Sequence, residues 1–257
     1  MGQIWWMRAR AMRLVAALMF AAPTMFVRAD APVVTPAVPL AKRALQQSTA
    51  PKPLFVKPED IDATSILPGP PADDSPEHRA EVATLLYWQA KRTTLDVARC
   101  RSEENVTVFT FADVLGDGFN AHALPIMEAL MDRVYVDARL VSNAAKLKWN
   151  RVRPPLAIPG LRPCVELEKT PSYPSGHATR GVMWAILLGE IFPDQKDALM
   201  ARGRLIGQDR VIAGMHYPSD VEAGQKLGQA IAEKLLADPD FRYVLQEAKN
   251  ECLAAMH

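Results

Sequence analysis

Cysteine is scarce, with three in 257 residues, too few for the stapled frameworks of small disulfide-rich folds. A chain this long buries a core without such staples. An excess of either charge is also missing: 30 Lys and Arg stand against 29 Asp and Glu. No strongly basic face follows from that balance, so nucleic acid is a poor first candidate for a partner. Metal-ligand patterns are lacking too, since neither HExxH nor CxxC occurs and Asp, Glu and His never fall at ligand spacing. Period-two alternation is confined to Val106–Phe111, the one strand candidate. No repeat of fixed period is found. Beyond the first thirty residues the longest apolar run, Gly181–Phe192, contains Glu190 and falls well short of the ~20 residues that span a bilayer.

What is present begins with an address. Arg8, Arg10 and Arg13 precede an apolar stretch from Leu14 to Val27 that closes on Val27-Arg28-Ala29. This order of basic region, apolar region and small-residue cleavage site reads residues 1–29 as a secretory signal peptide. An uncleaved anchor helped by Ile4, Trp5 and Trp6 is the alternative, disfavoured by Pro23 and the short run. Cleavage near Ala29 removes four Arg and no acid, leaving a slightly acidic chain in the periplasm or outside the cell. One disulfide among Cys100, Cys164 and Cys252 suits that compartment, and the sequence leaves the pairing open. Ten of the 21 prolines lie between Pro32 and Pro76. Residues 30–74 therefore read as a proline-rich arm, equally a loose tether or an embrace of a second subunit in a homo-oligomer.

Residues 75–257 read as one all-α domain. Ser75-Pro76-Glu77 opens a helix running to about Arg99. Ile126, Leu130, Val134, Ala138, Val141, Ala145 and Trp149 form one buried stripe of a long helix, stopped by Pro154 and Pro155. Further helices are expected from Ser175 to Ile191, from Asp194 to Ala213, and from Pro218 onward. The last carries Gly224 and Gly228, where another helix can come close.

Three polar clusters share one chemistry. Lys146 and Arg153 stand seven residues apart, two turns of a continuing helix, and can clamp an anion. Alone they read as a solvated basic helix end, with Lys148 and Arg151 beside them. Ser175, Gly176 and His177 open an apolar helix: a cap, a residue without side chain and free N–H groups make a phosphate seat, and His177 is placed to pass a proton. Arg210 can fork onto a phosphoryl group. His216 follows in a break between helices, and Asp220 can reach back to fix its tautomer and free its other nitrogen for attack. Each cluster has an ordinary structural reading, but together they fit phosphoryl transfer in which position and positive charge carry the chemistry.

Lys146-x6-Arg153-Pro154, Pro174-Ser175-Gly176-His177 and Arg210-x5-His216-x3-Asp220 resemble the tripartite signature of the type 2 phosphatidic acid phosphatase superfamily. That superfamily includes bacterial non-specific acid phosphatases and vanadium haloperoxidases. With Ser172-Tyr173 before the second block, the chain looks most like a class A secreted acid phosphatase. The resemblance implies that fold, no metal or other cofactor, and phosphate monoesters as substrates. It implies His216 as nucleophile through a phosphohistidine, Asp220 orienting it and His177 as general acid. Lys146, Arg153, Arg210, Ser175 and the Gly176 N–H would hold the phosphoryl oxygens. Asp209 replaces the family's Ser, and would either repel phosphate or pair with Arg210. Pro171 and Ala178 depart from the class A pattern. A lipid-phosphate or diphosphate phosphatase, a haloperoxidase, and a non-catalytic phosphate-binding envelope protein are the competing readings.

Overall fold

The computed structural model describes residues 52–256. The signal-peptide reading and the first part of the arm lie outside them. Among the described residues there are ten α-helices and no strand: α1 (Ala63–Ile66), α2 (Pro76–Lys91), α3 (Thr94–Ser102), α4 (Ala112–Leu115), α5 (Pro125–Trp149), α6 (Pro154–Ala157), α7 (Gly176–Ile191), α8 (Lys196–Ile212), α9 (Pro218–Ala237) and α10 (Pro239–Ala255). None is long and apolar enough to cross a membrane.

Helix α7 is the axis of the fold. Most of its length is buried, which suits a segment apolar on nearly every side. It packs chiefly on α8 and α9. Small residues set the spacing: a Cβ on Gly181 would press on the carbonyl oxygen of Gly203, and one on Gly228 would overlap that of Thr179. The predicted close approach along α9 is thus made against α7.

The stripe on α5 is buried from Leu130 to Ala145. Its C-terminal end is set by other means than Pro154 and Pro155. Asn150, in the left-handed region (φ 44°, ψ 37°), stops the helix and donates its N–H to the Lys146 carbonyl. Pro154 instead opens α6. At the N-terminus no side chain of Leu124 caps, and Glu251 of α10 accepts the N–H groups of Ile126 and Met127 at 2.9 Å. Helix α10 has its own signal in Asp238, Pro239 and the apolar steps Phe241, Leu245, Ala248, Cys252.

Three readings change in detail. The helix expected to run to Arg99 breaks at Arg92–Thr93, where Thr93 and Asp96 form a capping box that starts α3. Val106–Phe111 is not a strand: Thr107 caps Phe109 and opens a 3₁₀ turn that buries Val108 and Phe111. The later part of the proline-rich arm is docked, not loose. Asp137, fully buried on α5, accepts the N–H groups of Leu54, Phe55 and Val56 at 2.8–3.0 Å, and the Phe55 ring meets Phe241 edge-on. Cys100 and Cys164 share one small cluster while Cys252 packs in the main core, and all three are free thiols.

Candidate active site

The end of α5, the loop 168–175 and the α8–α9 turn bring the three clusters to one buried place. Lys146 is still on α5, and its Nζ donates to the carbonyls of Pro171 (2.5 Å) and Ser172 (3.2 Å). Burial, then the charge of Arg153, lowers its pKa to about 7. Arg153 lies past the helix end, in extended backbone as the residue before α6. The seven-residue spacing is therefore not two turns of one helix; the loop carbonyls bring the pair together. Arg153 Nε donates to the Thr170 carbonyl at 2.7 Å.

His216 is fully buried in the α8–α9 turn. Its Nδ1 faces Asp220 Oδ2 at 3.3 Å, and its Nε2 faces Arg153 Nη1 at 3.0 Å. With the proton on Nδ1, Nε2 keeps its lone pair toward Arg153. Burial, then the charge of Arg153, lowers the imidazole pKa to about 3, so the ring is neutral over the ordinary pH range. Asp220 is the most heavily partnered carboxylate of the site. Its Oδ2 also accepts from the Ser172 hydroxyl (2.6 Å) and the Tyr217 N–H (2.8 Å), and Oδ1 accepts from Arg151 Nη1 (2.7 Å). Burial works to raise this carboxyl, but these hydrogen bonds and charges outweigh it and keep it ionised.

Ser175 caps α7, its hydroxyl accepting from Ala178 N–H. Gly176 follows and lines a cavity of about 220 Å³ with Lys146, Glu168, His177 and Arg180. His177 Nε2 lies 2.9 Å from Arg180 Nη2 and its Nδ1 3.7 Å from Glu168. Burial, then the charges of Arg180 and Arg210, hold its pKa well below 6.5. Arg210 gives Nη2 to Glu168 Oε1 at 2.6 Å, while its Nε and Nη1 are buried without a hydrogen-bond partner among the described residues. Such unspent guanidinium donors are costly unless an anion uses them.

Residues 134–238 match the profile of the PAP2 superfamily, a span that contains all three clusters. The non-specific acid phosphatase of Providencia stuartii is 31% identical over 201 residues, covering 74% of this chain and 81% of that protein. This chain belongs to the PAP2 superfamily. The non-specific acid phosphatase of Salmonella typhimurium is 29% identical over 78% of this chain and 84% of its own length. The acid phosphatase of Zymomonas mobilis is 33% identical over 55% of each.

Of the signature residues of this PAP2 chain, Lys146, Gly176 and His177 line the cavity, Arg153 and Arg210 reach it through Glu168, and His216 and Asp220 stand behind Arg153. Asp209 does neither thing expected of it. Its fully buried carboxylate turns away from Arg210 and takes Nε and Nη2 of Arg99, both at 2.7 Å. Arg151 is not a solvated helix end. Its guanidinium bridges Asp220 and Glu81 (both 2.7 Å) and lies 3.8 Å above the Tyr217 ring. The signal for it was Asn150, a left-handed stop that removes Arg151 from the helix period. Arg180, one turn after His177, was legible from i, i+3 spacing. Glu168, in a loop with acids on both sides of Leu167, carries no such signal.

Proposed function

We propose that this chain is an exported acid phosphatase that hydrolyses phosphate monoesters without a metal, through a phosphohistidine on His216. One observation carries the reading: a neutral, buried imidazole, backed by an ionised Asp220, turns its unprotonated nitrogen toward the buried Arg153, and Glu168 links that cation to Arg210, whose Nε and Nη1 are unspent. Anion binding alone has no use for the His216–Asp220 pair.

Lys146, Arg153, Arg210 and the start of α7 hold the phosphoryl oxygens and offset the charge that builds up on them. Arg153 Nη1 exchanges His216 Nε2 for a phosphoryl oxygen, which frees the lone pair. Nε2 then attacks phosphorus as the ester P–O bond breaks, and protonated His177 delivers its proton to the leaving oxygen. In the second half neutral His177 takes a proton from water, the water oxygen attacks phosphorus, and the P–N bond breaks to release phosphate. Asp220 keeps Nδ1 protonated and stabilises the positive ring of the intermediate.

The two histidines need opposite protonation. His216 is neutral down to about pH 3. His177 is held neutral in the free protein by burial and the charges of Arg180 and Arg210, and an arriving phosphate dianion offsets those charges and raises its pKa. Activity is therefore expected to fall as pH rises, because fewer molecules carry the His177 proton.

The test is hydrolysis of p-nitrophenyl phosphate between pH 4 and 9 with a chelator present, beside His216→Ala and His177→Asn. Chelator-resistant turnover, highest in acid and abolished in His216→Ala, is the expected result. His177→Asn should lose roughly 10²–10⁴-fold in rate on an alkyl phosphate and less on p-nitrophenyl phosphate, whose leaving group needs little protonation. Turnover that survives in His216→Ala would overturn the phosphohistidine.

A further inference from the structure

We infer that Glu168 is a built-in occupant of the phosphoryl seat, a tethered carboxylate that phosphate must displace. The inference rests on the phosphatase reading of that seat and adds what decides which anions enter it.

Glu168 Oε2 takes Nη2 of Arg153 and Oε1 takes Nη2 of Arg210, both at 2.6 Å, and Oε1 lies 3.7 Å from His177 Nδ1. These are two of the cations assigned to the phosphoryl oxygens and the acid assigned to the leaving group. The carboxylate thus spans the position the phosphoryl group must take. Arg153 does not depend on it, being already held by the Thr170 carbonyl, the Thr170 hydroxyl and the Met215 carbonyl, whereas Arg210 has no other side-chain partner among the described residues and is the cation a ligand must satisfy in its place.

The partners differ in freedom. The side chains of Arg153 and Arg210 are each 2% exposed, whereas that of Glu168 is 33% exposed and belongs to a loop outside any helix. The cations stay and the carboxylate moves. Leaving the seat carries Glu168 toward water, where its charge is solvated.

The exchange is uneven in charge and in hydrogen bonds. Glu168 brings one negative charge and uses one nitrogen of Arg210, leaving Nε and Nη1 without partners. Near neutral pH a phosphate monoester brings about two charges and three free oxygens, enough to use those nitrogens as well. A ligand with the single charge of a carboxylate gains nothing over Glu168. The residue therefore sets a threshold: it admits monoester dianions and turns away small carboxylates that an open cationic seat would hold. A ligand that competes with a tethered group binds in proportion to the fraction of open seats.

Inorganic phosphate and acetate are the probes. Phosphate is titrated by calorimetry into wild type, Glu168→Gln and Glu168→Ala at about pH 7.5, where the dianion predominates, and acetate is then tested as a competitor. Phosphate is expected to bind both variants about tenfold more tightly or better, the gain when a seat open a tenth of the time or less is freed. Acetate should compete with phosphate in Glu168→Ala and leave wild type unaffected. Unchanged or weaker phosphate binding in both variants would overturn the inference, as would a wild type that acetate inhibits equally. If Glu168→Ala does not fold, Glu168→Gln decides alone, since it keeps the shape and loses the charge. Tighter phosphate binding in variants of a protein that hydrolyses nothing would sink the phosphatase reading and leave this one standing. Normal hydrolysis with no tightening would do the reverse.

Discussion

Arg151 is the residue whose removal should cost most for its distance from the phosphoryl seat. Its side chain is 6% exposed and bridges two carboxylates at 2.7 Å, Glu81 at 8% and Asp220 at 0% exposure. Replacing it with Met keeps much of the packing and leaves both acids buried without their cation. Breaking a buried pair in this way costs about 3–5 kcal/mol. In a domain of this size each kcal/mol moves the melting temperature by roughly 2–4 °C, so Arg151→Met should melt roughly 6–20 °C below wild type. A kinetic effect accompanies it. With Oδ1 unpaired, the Asp220 carboxyl takes a proton at higher pH, and a protonated Asp220 no longer supports the positive His216 of the proposed intermediate. The acid limb of kcat/KM for p-nitrophenyl phosphate should therefore move to higher pH. Glu81→Gln added to Arg151→Met removes one of the stranded charges and should recover part of the stability without restoring the acid limb. Scanning calorimetry and pH–rate profiles on the three proteins test this. A single variant that melts within 2 °C of wild type, with an unmoved acid limb, would refute the account of Arg151 as the clamp on Asp220.

Other consequences concern pH, packing and the replaced serine. His177 and His216 are held neutral in the fold, with pKa values below the unfolded value of about 6.5. Their contribution to stability is full above that value and is lost as pH falls toward the folded value, about 3 for His216. Each should add a slope of up to about 1.4 kcal/mol per pH unit below 6.5, so melting temperature in phosphate-free buffer should drop from pH 6.5 to 4.5, less steeply in His177→Gln and with phosphate added. Gly228→Ala places a Cβ against the Thr179 carbonyl, 3.1 Å from its carbon and 3.2 Å from the Met183 nitrogen, all backbone that cannot swing aside. It should destabilise by about 1–3 kcal/mol in thermal melts, despite the better helix propensity of Ala, whereas Gly118→Ala, 3.6 Å from the flexible Met256 side chain, should not. Arg99→Ala strands the fully buried Asp209 and should cost about 3–5 kcal/mol in denaturant unfolding. Asp209→Ser leaves only Arg99, 34% exposed and still beside Asp96, and should cost less than half of that; the opposite order would show that the pair is not what keeps Asp209 in place.

Local rules reached the helices whose signals are local. The stripe on α5, the Ser175 cap of α7 and Pro218 at the head of α9 are each written within a few residues, and the structure follows them. Misreadings came where a contact distant in sequence overrides the local pattern. The periodicity through Lys146, Trp149 and Arg153 suggests one helix, yet Asn150 ends it and the carbonyls of residues 170–172 gather the two cations instead. Likewise Asp209 beside Arg210 invites a pair of neighbours, but successive residues on a helix point about 100° apart, and the partner is Arg99, 110 residues away. Glu168 was illegible for the same reason. A loop acid among other charged residues says nothing of what it faces until the chain has closed around it.

Helix α5 joins events at distant points along the chain. The N–H groups of Ile126 and Met127 are satisfied by Glu251, 125 residues downstream of Ile126, and Asp137 in its middle ties down residues 54–56. Lys146, the first cation of the proposed phosphoryl seat, rides on the far end of the same helix. On the proposed export route, N-terminus first through a translocation pore, the first turn of this helix gains its Glu251 partner only after the segment around residue 251 has come through. Until then its first turn has open donors and its middle holds an acid partnered only by a strap. On that route the order of emergence delays assembly of the proposed phosphoryl seat until nearly all of the fold is across.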